Sequence, residues 1–311
     1  MPRPAAGLFI RSLKAPHAMG PTAKRTWIHA WLFLSPAMIL LIAFTHYPAA
    51  VTLFHSFFST PRGKREAKFV GLENYQTLIA DDTFWIVLVN NLWYALVTIP
   101  LSIVIAIAMA LWVDSKLKGR SFVRMAYFTP TVLPLIAVAN IWMFFYTPGF
   151  GLIDQISGAF GFAQQNWLGD PETALNAVIV VAIWKESGFF MIFYLAALQT
   201  IPASLREAAS IEGAGRWYFF RRITFPLLMP TTLFVSVNAI INAFRLVDHI
   251  FIMTEGGPDN ASSLLLFYIY ETAFRFWDTA YASTLTVVLL LILFTVAIGQ
   301  FLLLDKRVHY R

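Results

Sequence analysis

A polar stretch, REAASIEGAGRWYFFRRITFP at residues 206–226, separates two long apolar runs of the chain. The run before it covers residues 174–198, and the run after it extends from Pro226 to Ile250. Each run is longer than the roughly 20 apolar residues that a helix needs to cross a bilayer. An arginine-containing segment between two such runs stays in water. The pattern therefore indicates two membrane helices joined by a polar loop, and a partner that recognises this loop.

The composition also indicates that a bilayer is the solvent. Hydrophobic residues make up 58% of the 311-residue chain, charged residues make up only 13%, and the mean hydropathy is +0.65. Soluble domains contain roughly 25% charged residues. The chain has no cysteine, which excludes disulfides, thiolate metal sites and a catalytic thiol.

Six apolar segments have the length of a spanning helix. They predict an all-α integral membrane protein with about six transmembrane helices, in which residues 30–304 form the membrane domain. Prolines inside these segments, such as Pro100, Pro130 and Pro134, are tolerated where neighbouring groups satisfy the freed carbonyls. The predicted spans are 30–57, 85–113, 123–146, 174–198, 226–250 and 281–304.

The basic residues predict the orientation of these spans. If the N-terminus is cytoplasmic, sixteen Lys and Arg residues lie in cytoplasmic segments, five lie outside, and two lie within spans. The excess of cytoplasmic Lys and Arg therefore predicts that both termini are cytoplasmic. Residues 1–29 and 305–311 are then cytoplasmic tails, the first of them basic and disordered. The net charge of +6 reflects topology, so we expect membrane lipid and no nucleic acid as partner.

The cytoplasmic segment 199–225 is predicted to contain two short helices. The first is started either by Pro202 or by a capping box from Ser204 to Glu207. Gly213 and Gly215 end it, and a second short helix over residues 216–222 leads to Pro226. From these residues alone, a partner could grip the segment, or it could be an ordinary loop in which Glu207 caps its own helix.

The same segment resembles the EAA loop of ABC importer permeases. That loop reads E-A-A, three residues, G, nine residues, then I-x-L-P. The chain matches it at each position except Phe225, where the family has Leu. Three further stretches resemble the carbohydrate-importer permeases of the maltose and glycerol-phosphate type. They are FVGLENY at 69–75, LQTIP at 198–202 and GGP at 256–258.

This resemblance implies a permease subunit of a type I ABC importer in the bacterial inner membrane. It implies partners: a second, similar permease, two ATP-binding subunits and an extracytoplasmic solute-binding protein. ATP and Mg would be used by the ATPase partner, and this chain would bind no cofactor. The coupling residues implied for the EAA loop are Arg206, Glu207, Ala208, Ala209, Gly213, Ile223 and Pro226.

Motifs for other functions are missing from the sequence. It contains no G-x-x-x-x-G-K-[ST] phosphate loop, so we expect no ATPase activity of its own. It also lacks H-E-x-x-H, paired Asp and G-x-S-x-G motifs, which argues against a membrane enzyme with catalytic residues. His46 and His55 have no carboxylates around them, so no metal site is expected. An ion-driven carrier is a further alternative class of membrane protein, although an EAA loop would have no function in such a carrier.

Polar residues inside the spans are candidates for the solute pathway. Asn238, Asn242, Arg245 and His249 follow a spacing of four, three and four, which predicts one helical face. Asp248 is expected to pair with Arg245. The fourth span contributes Trp184, Lys185 and Glu186, at a depth that matches Asn238 and Asn242 by the helical rise per residue. Asn amides and an aromatic ring suit a sugar, but the same groups could simply join helices.

Other polar residues are expected to be structural. Asn90, Asn91 and Asn140 are interpreted as packing residues, and the adjacent Asp81 and Asp82 as solvated. Lys185 and Glu186 are interpreted as a structural or interface pair in preference to direct contacts with the solute. With few basic residues facing the pathway, we expect a neutral sugar as solute. A permease for sn-glycerol 3-phosphate or a polyol is the alternative.

Overall fold

The first unit of the chain is an N-terminal helical run. The computed structural model describes residues 21–61, 63, 66–115 and 119–304, so tail residues 1–20 and 305–311 lie outside it. The described chain divides into two units, one through Val51 and one from Thr52 onward. The N-terminal helix α1 (Pro21–Leu41) passes through a π-helical turn at 42–46 into α2 (Tyr47–His55), and the boundary between the units falls within α2. The disordered tail predicted for 1–29 is thus wrong for residues 21–29, which are helical.

The second unit is built from helices. Together with the N-terminal run, these helices agree with the prediction of about six spans. In the described residues of the whole chain, five helices, one of them at Thr26–His55, are long and apolar enough to cross a membrane, and one bent pair makes six. The helices are α3 (Glu73–Ile79), α4 (Asp82–Asp114), α5 (Arg120–Val132), α6 (Leu135–Phe145), α7 (Leu152–Ala159), α8 (Ala174–Gln199), α9 (Ala203–Ile211), α10 (Arg216–Phe219), α11 (Phe225–Arg245), α12 (Asp248–Met253), α13 (Leu265–Tyr270) and α14 (Thr279–Leu304).

Helix α8 lies at the centre of the second unit. Two-thirds of its most apolar stretch is buried, and its most extensive packing is against α4. Trp93 of α4 bonds Asn176 near one end of the pair, and Ala106 of α4 clusters with Phe190 near the other, so α4 and α8 run parallel. The buried positions of α4 recur every three or four residues, the spacing of one helical face.

The third predicted span, 123–146, is broken in the structure. Helices α5 and α6 meet at an angle of 102°. Leu133 and Pro134 between them are extended, with ψ near 136° and 139°. Proline disfavours a helical conformation in the residue before it and cannot donate a backbone hydrogen bond, which explains why the helix ends here.

The fifth predicted span, 226–250, also differs. Helix α11 ends at Arg245, and Leu246 adopts an extended conformation before α12 starts at Asp248. At its other end α11 continues directly from α10 through a π-helical turn at 220–224, in which Phe225 N–H bonds Phe220 C=O. The turn lies just before Pro226, which lacks an N–H group. The separate short helix predicted for 216–222 is therefore joined to the span.

Candidate functional site

Helix α9 carries the E-A-A residues and starts after a proline. Pro202 is its N-cap residue, with φ −59° and ψ 135°, and no side chain caps the helix. The capping box predicted from Ser204 to Glu207 is therefore wrong, and the alternative start at Pro202 is confirmed. The Glu207 side chain consequently has no capping role in α9.

The glycine of the EAA loop ends α9. Gly213 has φ +72°, Gly213 N–H bonds Ser210 C=O at 3.2 Å, and Ala214 N–H bonds Ala209 C=O at 2.9 Å. These two bonds form a Schellman motif, which needs a residue in the left-handed region and favours glycine there. No heavy atom lies within 4 Å of the position that a Cβ would occupy at Gly213, so the requirement comes from backbone conformation alone.

One face of α9 is attached to the helix bundle and the other is exposed. Ala209 is buried, whereas Glu207 and Ala208 are exposed. Arg206 forms an ion pair with Asp114, the last residue of α4, at 3.5 Å. We call this end of the second unit, with α9, α10 and Asp114, the EAA end.

A large cavity lies beside α9 at the EAA end. Its volume is about 1080 Å³, and it is lined by residues of α9 and α10 together with the ends of α4 and α8. Of the remaining motif residues, Ile223 is half-buried in the π-helical turn and Pro226 is exposed in the first turn of α11. The E-A-A residues and the I-x-x-P residues therefore lie on separate helical segments.

Lys185 and Glu186 have different neighbours and do not form a pair with each other. The Lys185 ammonium donates to the carbonyls of Pro130 and Leu133 at 2.9 and 2.6 Å, at the break between α5 and α6. Glu186 is buried, and its carboxylate meets the side-chain amide of Asn242. The depth match predicted between α8 and α11 is confirmed at Glu186 and Asn242. Lys185 and Glu186 each contact other groups of the protein, as expected of structural residues, but they do not contact each other.

Trp184 and Asn238 lie at more accessible positions. The Trp184 side chain is 40% exposed and contacts Trp142 of α6 edge to face, at 5.6 Å between ring centroids. Asn238 is half-buried, and its amide donates to Phe234 C=O of its own helix at 2.8 Å. Its amide oxygen and second N–H are left for other partners.

His249 does not share a helical face with Asn238 and Asn242. Because α11 ends at Arg245, His249 belongs to α12, where it is buried and bonds the hydroxyl of Tyr94 at 3.2 Å. Asp248 starts α12, so the spacing of three residues no longer places it over Arg245 as predicted. Arg245 and Asp248 are both exposed. The helix break at Leu246 is the reason for both differences.

The opposite end of the second unit contains bonds that the sequence did not predict. The carboxylate of Asp81 accepts from the hydroxyls of Tyr268 and Tyr281, both at 2.6 Å, and from Thr83 N–H at 2.9 Å. Burial raises the pKa of Asp81, but these hydrogen bonds outweigh burial and lower the pKa below 3.8. The expectation that Asp81 is merely solvated is therefore wrong.

Asn90 and Asn91 are packing residues, as predicted. Asn90 donates to the carbonyls of Asn260 and Ser263, and Asn91 donates to Ala243 C=O and accepts from Leu265 N–H. These partners lie more than 150 positions away in the chain. No local pattern in the sequence could have identified them.

Comparison with known proteins agrees with the fold and the motifs. Residues 84–310 match the family described as binding-protein-dependent transport system inner membrane components. In the described residues, no group of His, Asp and Glu side chains could hold a metal ion.

Curated relatives match along most of their own length. The lactose transport system permease protein LacF of Rhizobium radiobacter is 34% identical over 90% of this chain and 95% of that protein. The sn-glycerol-3-phosphate transport system permease protein UgpA of Salmonella typhimurium is 30% identical over 94% of this chain and 98% of that protein.

A solved structure has the same fold. It is a chain of a bacterial ABC transporter involved in the import of the acidic polysaccharide alginate, with a TM-score of 0.80, 22% identity, and coverage of 91% of this chain and 96% of that chain. The family match covers well over half of the sequence. The chain therefore belongs to the binding-protein-dependent transport system inner membrane components and is the permease component of an ABC importer, a membrane channel component and not an enzyme.

Proposed function

We propose that this chain forms half of the translocation pathway for a neutral sugar, which a solute-binding protein delivers. A second, similar permease forms the other half. Two ATP-binding subunits use ATP and Mg and drive the pair through the EAA loop at residues 199–225. Both termini and the EAA end face the cytoplasm, and the change between inward-facing and outward-facing states follows the differential binding of the partners.

The exposure of α9 is the observation that carries the coupling role. Its buried residue, Ala209, and the Arg206–Asp114 ion pair hold one face on the bundle, while Glu207 and Ala208 are presented to solvent. A carboxylate beside small side chains allows close approach of a partner and a charge-assisted hydrogen bond at its rim. Since α9 contacts the end of α4 directly, a force on α9 is transmitted to the core of the second unit.

The groups around Asn238 and Asn242 support a sugar as solute. Asn238 keeps unused hydrogen-bonding capacity, and Trp184 offers an exposed ring on α8, two residues before Glu186. Sugar hydroxyls need both donors and acceptors, and an amide supplies both. A ring face can pack against the apolar face of a sugar. Glu186 bonds Asn242 and so sets the orientation of its amide.

A permease for sn-glycerol 3-phosphate or a polyol is the second candidate, and UgpA is the relative that favours it. A phosphorylated solute calls for basic side chains in the pathway. Of the two span residues that could supply them, Lys185 already donates to backbone carbonyls. This leaves Arg245 as the exposed basic residue near the pathway, which favours a neutral sugar.

The coupling role is tested by charge reversal on α9. Glu207→Lys should lower solute-stimulated ATP turnover of the reconstituted complex by roughly thirtyfold, because losing a charge-assisted contact at a protein interface costs about 2 kcal/mol or more. Glu172→Lys, an equal charge change at an exposed residue of the opposite end, is the control. Equal turnover in both variants would remove α9 from the coupling role, and a chain that transports without any ATPase would refute the proposed function.

The pathway role is tested on Asn238. Asn238→Leu should reduce sugar uptake about tenfold while the complex still assembles, because a lost hydrogen bond to solute costs about 1.4 kcal/mol. Asn140→Leu is a matched control, since Asn140 also donates only to the carbonyl four residues earlier, at 2.9 Å. Uptake that is unchanged in Asn238→Leu would exclude this residue from the pathway.

A further inference from the structure

The ammonium of Lys185 binds the break between α5 and α6 with each of its three donors. Its Nζ lies 2.9 Å from Pro130 O, 3.5 Å from Thr131 O and 2.6 Å from Leu133 O. A protonated lysine has three N–H donors and no acceptor, so it is matched to three carbonyl oxygens. The side chain is half-buried.

These carbonyls need a donor because of Pro134. In a continuous helix, the carbonyl of Pro130 would accept from the N–H of residue 134, which proline does not have. The extended residues 133 and 134 also leave the following carbonyls without their helical donors. An unsatisfied carbonyl in the hydrocarbon region is costly, and so is an unpaired ammonium. The Lys185 ammonium therefore supplies the hydrogen bonds that these carbonyls lack, and the carbonyls supply the acceptors that the ammonium needs.

Contacts on both sides of Lys185 join α8 to the two halves of the broken span. At Gly188, one turn along α8, a Cβ would come within 2.1 Å of Tyr127 O, so only glycine allows this approach to α5. At Trp184, the indole contacts Trp142 of α6. Lys185 thus lies at the corner, between one contact with α5 and one with α6.

The direction of α6 affects the proposed pathway through α12. Helix α6 packs against α12. His249 of α12 bonds the hydroxyl of Tyr94 in α4, and only Leu246 and Val247 separate α12 from α11, the helix that carries Asn242. The Asn242 amide itself meets the carboxylate of Glu186 in α8. A change in the angle between α5 and α6 would therefore alter, through these packed groups, the position of the Asn242 amide that we assign to the pathway.

We propose that Lys185 is a positioning residue for transport: its ammonium replaces the N–H that Pro134 lacks and sets the angle between α5 and α6. The positioning concerns the chain itself, whereas its consequence for transport rests on the function proposed above. Lys185 does not contact the solute, so its loss lowers the maximal uptake rate and leaves the half-saturating concentration of solute unchanged.

The test compares Lys185→Met, which keeps the side-chain length, with Lys185→Arg, which keeps the charge and the donors. Because the chain has no cysteine, spin labels can be placed at Met125→Cys on α5 and Phe144→Cys on α6, both exposed positions. Distances between the labels are measured by pulsed electron paramagnetic resonance in the reconstituted complex. Uptake is measured without labels and normalised to the amount of assembled complex.

We expect Lys185→Met to broaden and shift the label distance and to lower the maximal uptake rate roughly tenfold, the scale of a lost cation at a partly buried helix C-terminus. Lys185→Arg should restore both. An unchanged label distance in Lys185→Met would overturn the positioning role. A changed distance with normal uptake would overturn its importance for transport, and an altered half-saturating concentration would show a solute contact instead. A wild-type complex with no uptake at all would refute the proposed function, while the label distances would still test the positioning.

Discussion

The two ends of the second unit are held together in different ways. At the EAA end, α9 is attached by the buried Ala209 and by the Arg206–Asp114 ion pair, whose arginine side chain is 65% exposed. At the opposite end, Asp81 joins three helices through two tyrosine hydroxyls, and Asn91 bonds two distant backbone groups. The end that a partner is proposed to move is held by an exposed ion pair and one buried alanine, whereas the opposite end is held by buried and half-buried hydrogen bonds.

The two ends of the second unit differ in the strength of their bonds because they differ in solvent exposure. Exposed ion pairs contribute little, typically less than about 1 kcal/mol, because water and salt screen them. A buried polar group must be hydrogen-bonded, and loss of its partner costs the full desolvation penalty. Changes at the opposite end should therefore lower the stability of the whole chain, whereas changes at the EAA end should act on coupling.

The largest effect is expected for Asn91→Leu. The change leaves Ala243 C=O and Leu265 N–H without a partner in a buried site, and we expect a loss of about 3 kcal/mol. This corresponds to roughly 5–10 °C in the melting temperature of the solubilised protein. Asn140→Leu is the control and should change it little, because Asn140 is exposed. Equal melting temperatures would show that the opposite end does not depend on this side chain.

A smaller, pH-dependent effect is expected for Asp81→Asn. Since its hydrogen bonds lower the pKa of Asp81 below 3.8, the carboxylate stabilises the fold fully above about pH 4, and this contribution is lost as pH falls through the lower folded-state pKa. We expect a melting temperature about 3 °C below wild type at pH 7 and a difference that shrinks steadily as the pH is lowered below about 4.

The control for this comparison is Asp82→Asn, at an exposed residue in the first turn of α4. It removes one negative charge from the same segment without removing a bond to Tyr268 or Tyr281. A difference between Asp81→Asn and wild type that does not shrink as the pH is lowered, or an equal effect of Asp82→Asn, would contradict the assigned role of the carboxylate.

The smallest effect on stability is expected for Gly213→Val. A left-handed conformation costs a bulky residue about 1–2 kcal/mol, but here the strain falls on a short exposed helix. The melting temperature should therefore change by less than about 2 °C while solute-stimulated ATP turnover falls. Gly213→Asn should keep turnover near wild type, because Asn tolerates this conformation at a helix end. Equal turnover in the two variants would show that the Schellman motif is not needed for coupling.

Short stretches of sequence predict those helices and helix ends that depend only on neighbouring residues in the chain. The lengths of the apolar runs place α4, α8 and α14 within a few residues, since span length follows from bilayer thickness. Gly213 ends α9 as predicted, because a positive φ is a property of the residue itself. A proline at position 134 indicates a kink, but the size of the bend depends on α8, which Lys185 and Gly188 bring to the corner.

The candidate site is predicted less completely. Glu186 and Asn242 share a depth, which the rise per residue anticipates. Helical periodicity places His249 on the wrong face, because the polar pattern continues past Arg245 although the helix ends there. Neither Leu246 nor Val247 is a residue type that predicts a helix break. Sequence proximity pairs Lys185 with Glu186, yet this lysine finds backbone carbonyls that a proline has freed.

The sequence alone determined the solvent of this chain, the approximate number of its apolar spans and its EAA motif, because hydrophobicity, helical rise and backbone preference are properties of short segments. Only the tertiary structure decided which polar groups meet across the helices. Asn91 and Leu265, Asp81 and Tyr281, and Lys185 and Pro130 lie between 55 and 200 positions apart in the chain. Such pairs form because buried donors and acceptors must find partners after the helices pack, and that requirement has no local signature.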